Sequence, residues 1–176
     1  GIAAYVWQNI STVGSLSAKS FAPRVDISSP NFRGTRLAVG DIDGDGKPDL
    51  VLTDYDLTPF SVDYQRDSVF VLRNTSTTGT FNHANYSFAA PVPFTTGKSP
   101  SLPAIGDLDG DGKPDIAVSN YYGNTVSVLR NTSTIGSITA GSFAPRVDFA
   151  TNIGPGRIAI SDLDGDSKPD LVIVNT

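Results

Sequence analysis

The sequence predicts an all-β protein made of antiparallel four-stranded blade repeats of the β-propeller type. Three observations support this prediction: a turn-rich composition, an Asp-rich motif present three times, and short apolar runs on both sides of each motif. All 18 acidic residues are Asp, and the chain contains 17 Gly and 12 Pro but no Cys, Met or Glu. Asp, Gly and Pro favour turns over helices. The composition therefore favours short strands joined by tight turns.

The Asp-rich motif sets the length of the repeat. It occupies residues 41–49, 107–115 and 162–170, so that its copies are 66 and 55 residues apart. Two other segments, Val-Leu-Arg-Asn-Thr-Ser and Ser-Phe-Ala-Pro-Arg-Val-Asp, recur with nearly the same spacing. A repeat of this length that carries several short strands is typical of propeller blades or a related β array.

Each unit contains four runs of strand-forming residues. The first run enters the Asp motif and the second leaves it, and both are continuously apolar, which predicts strands buried on both faces. The third run precedes the Asn-Thr-Ser segment. The fourth contains Pro, which indicates an edge strand. The predicted ranges are 36–41, 102–107 and 157–162 for the first strands, 49–54, 115–120 and 170–175 for the second, 5–9, 68–73 and 125–130 for the third, and 21–27 for the fourth strand of the first unit.

These runs predict a single repeat domain over residues 1–176 with three blade equivalents. Residues 1–34 hold a third and a fourth strand, 35–100 and 101–155 each hold a full unit, and 156–176 hold a first and a second strand. The two half units are complementary. The first full unit also carries an insertion at residues 55–67, either a tolerated loop or a contact loop. Because residue 1 is Gly, the sequence is either a processed chain or a piece of a longer one.

The Asp motif predicts cation binding. Asp stands at positions 1, 3, 5 and 9, and the backbone carbonyl at position 7 offers a further oxygen, a ligand set that suits Ca²⁺. An EF-hand loop is excluded because position 12 is apolar instead of Glu. Ser167 replaces a Gly at position 6 of the third motif, so we expect that loop to be strained or weaker. The predicted ligands of about three Ca²⁺ ions are Asp41, Asp43, Asp45, Lys47, Asp49, Asp107, Asp109, Asp111, Lys113, Asp115, Asp162, Asp164, Asp166, Lys168 and Asp170.

The motifs and their flanking strands resemble the FG-GAP/VCBS repeats of integrin α-subunit propellers and of many bacterial surface proteins. The resemblance covers nearly the whole chain. It implies that the Asp residues bind Ca²⁺ in hairpins between the first two strands of each blade, and that the protein is extracellular or on the cell surface. Propellers of this kind usually have seven blades, whereas this chain holds three blade equivalents.

Other residues carry weaker functional signals. Four Asn residues begin Asn-X-Ser/Thr sequons, which are either N-glycosylation sites or ordinary strand-ending turns. His83 lies in a loop-like segment without a partner of catalytic type, and nothing outside the Asp motifs forms an acid, base and nucleophile set, so we predict no enzymatic activity. Trp7 is either a core residue or an anchor for a neighbouring copy. The sequons begin at Asn9, Asn74, Asn85 and Asn131.

The sequence therefore supports two functional hypotheses. The first is an extracellular, calcium-stabilised structural protein whose copies assemble head to tail into a filament or surface layer by completing the split blade. The alternative is a lectin-like or adhesive module, possibly part of a larger propeller, that binds glycans or a surface protein through Tyr55, Phe60 or Tyr64. A hydrolase is the weakest reading. The net charge of −5 comes without a basic patch for nucleic acid, and no apolar run reaches the roughly 18 residues of a membrane span.

Overall fold

A computed structural model describes residues 2–28, 36–53, 67–77 and 88–176. Within these ranges the chain forms twelve β-strands and no helix. No helix in the described ranges is therefore long and apolar enough to cross a membrane. The strands are β1 (Ile2–Val6), β2 (Val25–Ser28), β3 (Arg36–Gly40), β4 (Asp49–Thr53), β5 (Ser68–Leu72), β6 (Val92–Thr95), β7 (Pro100–Gly106), β8 (Asp115–Asn120), β9 (Thr125–Leu129), β10 (Val147–Ala150), β11 (Pro155–Ser161) and β12 (Asp170–Asn175).

The strands form antiparallel sheets of four and of two strands. The four-stranded sheets have the orders β3-β4-β5-β6 and β7-β8-β9-β10, with neighbours in sequence also paired in space. The two-stranded sheets are β1-β2 and β11-β12. This arrangement confirms the all-β, antiparallel part of the fold prediction. The number of blades in the working protein and the closure of a propeller stay predictions.

The main core lies between the two four-stranded sheets. It includes Val51, Val69, Val71, Ile116 and Val118, all of them fully buried. These residues come from the central strands β4, β5 and β8, whose two faces are both covered. Alternate β-branched residues on a pleated surface fill such a space well.

Hydroxyl groups on the second strands link each sheet to the next. Thr53 Oγ1 in β4 donates to Ser101 O in β7 at 2.6 Å. Ser119 Oγ in β8 donates to Gly156 O in β11 at 2.6 Å. Because Thr53 and Ser119 hold the same place in their units, the β7–β10 sheet contacts the β3–β6 sheet in the same way as the β11-β12 sheet contacts the β7–β10 sheet.

Burial on both faces was predicted wrongly for the first strands β3 and β11 and for the second strand β12, each of which contains exposed residues, whereas the first strand β7 contains none. Every residue of β4 and β8 is buried, as expected for second strands, but β3 and β11 alternate between exposed and half-buried residues. Leu37 and Val39 in β3 are 45% and 56% exposed. The reason is position: β3 and β11 lie at the edges of their sheets, and one of their faces has no covering layer among the described residues.

Strand boundaries also differ from the prediction at the N-terminal half unit. The first strand ends at Val6, and Asn9 makes only an isolated bridge to Phe21. The strand predicted for residues 21–27 begins at Val25, because Pro23 lacks the N–H that a continuous ladder needs. The insertion, apart from Asp67, lies outside the described residues, and so do Tyr55, Phe60, Tyr64, His83 and Asn85.

Candidate metal centre

Three Asp loops, at residues 41–49, 107–115 and 162–170, connect the first and second strands of their sheets. The strand registers end at Gly40 and Asp49, at Gly106 and Asp115, and at Ser161 and Asp170. We call them the first, second and third Asp loops. The same nine-residue motif therefore folds into the same kind of hairpin connection three times.

Each Asp loop gathers three carboxyl groups. In each group the candidate ligand oxygens lie within 4.8 Å of one another. Oxygens bound to one Ca²⁺ at 2.3–2.6 Å can be at most about 5.2 Å apart, so the spacing fits this ion. An all-oxygen, flexible donor set also suits it. The groups are Asp41, Asp43 and Asp45; Asp107, Asp109 and Asp115; and Asp162, Asp164 and Asp170.

The structure thus brings together nine of the twelve predicted Asp ligands. Asp49, Asp111 and Asp166 lie outside the three groups. Asp111 and Asp166 each accept a hydrogen bond from the N–H of the residue two places later, at 2.9 Å. Coordination by the carbonyl groups of Lys47, Lys113 and Lys168 stays a prediction.

The carboxylate at position 1 shapes the loop through its own backbone. Asp41 accepts hydrogen bonds from Asp45 N at 3.1 Å and from Gly46 N at 2.8 Å. Gly46 adopts a positive φ of 83°, a conformation that brings its N–H inward at no steric cost. The position-6 residue of the third loop, Ser167, keeps the same conformation at φ 69° and donates to Asp162 at 2.9 Å. The serine therefore preserves the turn in a backbone region that disfavours side chains.

The carboxylate at position 9 joins the loop to the third strand. Asp49 is fully buried and accepts hydrogen bonds from Ile42 N at 2.9 Å and from Asn74 N at 2.7 Å. Its burial raises its pKa to about 6, against the opposing effect of these two donors. Asp115 makes the same pair of bonds, to Leu108 N and Asn131 N, and burial raises its pKa as well. Both carboxylate oxygens of Asp49 and of Asp115 therefore accept a backbone hydrogen bond that stabilises the fold.

The asparagine after the third strand completes this connection. Asn74 Nδ2 donates to Pro48 O at 2.9 Å. Asn131 Nδ2 donates to Pro114 O at 2.9 Å and to Ile42 O, in the neighbouring sheet, at 2.7 Å. Both asparagines are buried, so their amides belong to the fold. Among the sequon asparagines that the structure describes, Asn9 is the one whose side chain is exposed.

Two arginines that the sequence reading did not assign to the site lie beside the loops. Arg73 Nε contacts Asp43 Oδ2 at 2.6 Å, and Arg73 Nη2 contacts Asp45 Oδ2 at 3.1 Å. The hydrogen bond with Asp43 raises the pKa of Arg73. Arg130 approaches Asp109 and Asp111 at 3.8 and 4.0 Å. The sequence does carry a signal for this role, because an Arg stands directly before both Asn74 and Asn131. A cation next to the Asp loop offsets the negative charge of its carboxylates.

The three Asp loops differ in how far they are covered. Ser133 Oγ donates to Ile42 O at 3.3 Å, and Gly136 N donates to Asp43 O at 3.1 Å, so that the segment after β9 covers the first loop. Ile42 is 1% exposed. The equivalent Leu108 is half-buried, and Leu163 in the third loop is 68% exposed. The three loops therefore have the same sequence motif and hairpin position but differ in solvent exposure.

Fold and site together define an acidic-loop β-repeat: antiparallel sheets with an Asp-rich hairpin between the first and second strands. FG-GAP-like repeats match residues 59–118 and 107–173, and an FG-GAP repeat matches residues 33–57. The chain belongs to the FG-GAP repeat family. Comparison with curated proteins gives no match. Repeats of this family commonly bind calcium, are typical of extracellular or surface proteins, and generally serve as structural or adhesion modules without enzymatic activity.

Proposed function

We propose that this protein is an extracellular, calcium-stabilised structural protein whose copies assemble head to tail into a filament or surface layer. The observation that carries the proposal is the strand order. β1-β2 correspond to the third and fourth strands of a blade, and β11-β12 correspond to the first and second. One copy's β1-β2 sheet therefore supplies the strands that another copy's β11-β12 sheet lacks.

Strand register supports this completion. In β9-β10, Val147 pairs with Val128 and Asp148 with Ser127. In β1-β2, Val25 pairs with Val6 and Asp26 with Tyr5, which is the same register in the same repeat positions. A β1-β2 hairpin can therefore occupy, next to β12, the place that β9-β10 occupy next to β8.

The exposure of β12 also supports completion of the blade by a second copy. All six residues of β8 are buried, whereas Val172 and Val174 in β12 are 38% and 55% exposed. Trp7, just after β1, is 52% exposed, which favours the anchor hypothesis over the core hypothesis. An open edge with exposed valines recruits a further strand by β-augmentation. The contact is heterologous, so it generates a ring if the rotation closes and a filament if it does not.

Calcium has a defined part in this proposal. Each loop holds an excess of carboxylates, and a divalent ion removes their mutual repulsion. Extracellular sites of this kind bind at about 0.1–1 mM, so that millimolar calcium contributes about 0.5–1.5 kcal/mol per site. The third loop begins β12 and thus fixes the edge at which the next copy adds.

Particle size tests the proposal. We expect sedimentation velocity and electron microscopy to show long assemblies in millimolar calcium and small species after chelation. Val174→Lys places a charge on the open edge and should reduce assembly, whereas Ile153→Lys, at a loop residue that is 80% exposed, adds the same charge elsewhere and should not. A monodisperse monomer in calcium at high protein concentration would contradict the proposal.

One observation favours the adhesive alternative. A groove of about 730 Å³ beside β1 is lined by aromatic and cationic side chains, including Trp7, Phe21, Lys19 and Arg24. Aromatic faces with polar neighbours suit sugar rings or a protein loop. Glycan binding by a discrete particle, lost in Trp7→Ala, would favour this function over assembly.

A further inference from the structure

The segment at residues 131–137, which we call the cover segment, shows how one blade contacts the Asp loop of the blade before it. Asn131 Nδ2 and Ser133 Oγ both donate to Ile42 O, and Gly136 N donates to Asp43 O. A Cβ atom built at Gly44 would lie 3.8 Å from Ile135 Cγ1, which places the Ile135 side chain beside the first Asp loop. The cover segment thereby covers Ile42 and Asp43 at the start of the first Asp loop, and both residues are buried.

The second Asp loop lacks such a cover among the described residues. Leu108 is half-buried and Asp109 is exposed, whereas their counterparts Ile42 and Asp43 are buried. In the described part of the chain, no hydrogen bond outside the strands reaches the carbonyl oxygens of Leu108 and Asp109. These two carbonyl groups match the acceptors that the cover segment uses on the first loop.

Residues 9–15 match the cover segment in sequence and in conformation. The two sequences are Asn-Ile-Ser-Thr-Val-Gly-Ser and Asn-Thr-Ser-Thr-Ile-Gly-Ser. Gly14 has a φ of 77° and Gly136 a φ of 73°. Ser15 N donates to Thr12 O at 3.0 Å, and the counterpart bond in the cover segment is also 3.0 Å. Residues 9–15 thus already have the shape needed to cover an Asp loop.

Within its own chain this second segment lies away from the second Asp loop. Ile27 of the β1-β2 sheet packs with Leu50, Leu52 and Leu72 of the β3–β6 sheet, on the opposite side from the β7–β10 sheet. Val13 is fully exposed. Asn9 donates no hydrogen bond from its side chain to any described residue. The three donors that the contact needs, Asn9 Nδ2, Ser11 Oγ and Gly14 N, make no hydrogen bond to the described residues and are available to another molecule.

We propose that residues 9–15 of a second copy seat on the second Asp loop of the first. In this contact Asn9 Nδ2 and Ser11 Oγ donate to Leu108 O, and Gly14 N donates to Asp109 O. The inference rests on the proposed function and deepens it, since the same Asn9 also reaches Pro169 O and Asp170 once β1 adds to β12. Assembly then covers a candidate calcium loop, so that cation binding at the second loop and docking of the neighbour stabilise one another.

Disulfide trapping tests this contact, because the chain has no cysteine. Chains with Val13→Cys and chains with Gly110→Cys are mixed in calcium and oxidised. We expect a disulfide-linked pair of chains. As a geometric control, Gly44→Cys with Ile135→Cys in one chain should form the equivalent internal disulfide. Gly165→Cys is the matched control for the loop: like Gly110 it has a positive φ and open surroundings, and it should trap Val13→Cys several-fold less.

A second cysteine pair separates this inference from the proposed function. Tyr5→Cys and Ile173→Cys, in separate chains, report on pairing of β1 with β12, because their counterparts Ser127 and Val118 are paired. Trapping of both pairs supports both proposals. Trapping of the strand pair alone overturns the seating on the second loop and leaves blade completion standing. Trapping of neither pair overturns both, and trapping at Gly165 as efficiently as at Gly110 overturns the assigned loop.

Discussion

Asn131, at the end of the third strand β9, connects three parts of the structure. Asn131 Nδ2 donates to Pro114 O in its own Asp loop and to Ile42 O in the neighbouring sheet, and Asn131 N donates to the Asp115 carboxylate. It has no exposed surface. Buried amides of this kind specify geometry because every polar group must find its partner.

Replacement of this side chain tests its importance. Asn131→Ala removes the amide that donates to Pro114 O and Ile42 O, leaves Ile42 O with the 3.3 Å bond from Ser133 Oγ alone, and opens a small cavity. We therefore expect the free energy of unfolding to fall by about 2–4 kcal/mol. Urea unfolding in the presence of chelator measures this change in the free energy of unfolding. Asn9→Ala is the matched control, since Asn9 is exposed in the unassembled chain and its loss should cost less than about 0.5 kcal/mol. Equal losses in the two variants would contradict this role.

At the level of the element, the stability of the Asp loop depends on its backbone conformation as well as on its carboxylates. Position 6 has φ values of 83° in the first loop and 85° in the second, both at Gly. The third loop reaches 69° with Ser167. Left-handed backbone costs a residue with a side chain about 1 kcal/mol, so the third loop carries strain that the other two avoid.

Exchanging the two residue types tests this strain. Ser167→Gly relieves it, and the greater freedom of Gly in the unfolded chain takes back part of the gain, so we expect about 0.5 kcal/mol more stability in chelator. Gly112→Ser, the reciprocal change in the second loop, should lower the free energy of unfolding by a similar amount. Thermal unfolding of the two variants beside the parent checks the signs. A loss of stability in Ser167→Gly would show that the serine hydroxyl compensates for the strain.

Elements bounded by the Asp motif were predictable from sequence, and their surroundings were not. β8 and β12 begin and end where expected, because Asp and Asn mark both ends of each apolar run. Burial of the first strands depends on what lies across from them, which an apolar run does not encode. A sequon reads the same whether its Asn is exposed, as at Asn9, or buried, as at Asn74. The role of Arg73 likewise depends on a contact made 30 residues away.

For the whole molecule, the two-stranded sheets β1-β2 and β11-β12 differ from the four-stranded sheets in how much core they share. The four-stranded sheets share a core of fully buried valines and isoleucines. The β11-β12 sheet contributes none of the buried hydrophobic residues among those described. In the proposed assembly, the stability of the β11-β12 sheet therefore depends on the strands of the neighbouring copy.

If copies assemble as proposed, thermal stability becomes a function of protein concentration. A partner that binds only the folded chain adds about 2.7 kcal/mol when its concentration is roughly one hundred times the dissociation constant. We therefore expect the unfolding midpoint in calcium to rise with protein concentration. Scanning calorimetry of a dilution series measures it. Val174→Lys should flatten the dependence, and a midpoint that is independent of concentration in the parent protein would argue against assembly.

The three Asp loops differ in how far they are covered, and this difference predicts different rates of ion exchange. In the first loop, Ile42 and Asp43 are held in place by hydrogen bonds from the cover segment, so we expect this loop to open less readily and to release an ion more slowly. An ion in the third loop meets water directly, since Leu163 beside it is exposed. Calcium would therefore exchange slowest at the first loop and fastest at the third, so that a brief drop in calcium would empty the growing edge while the interior stays filled.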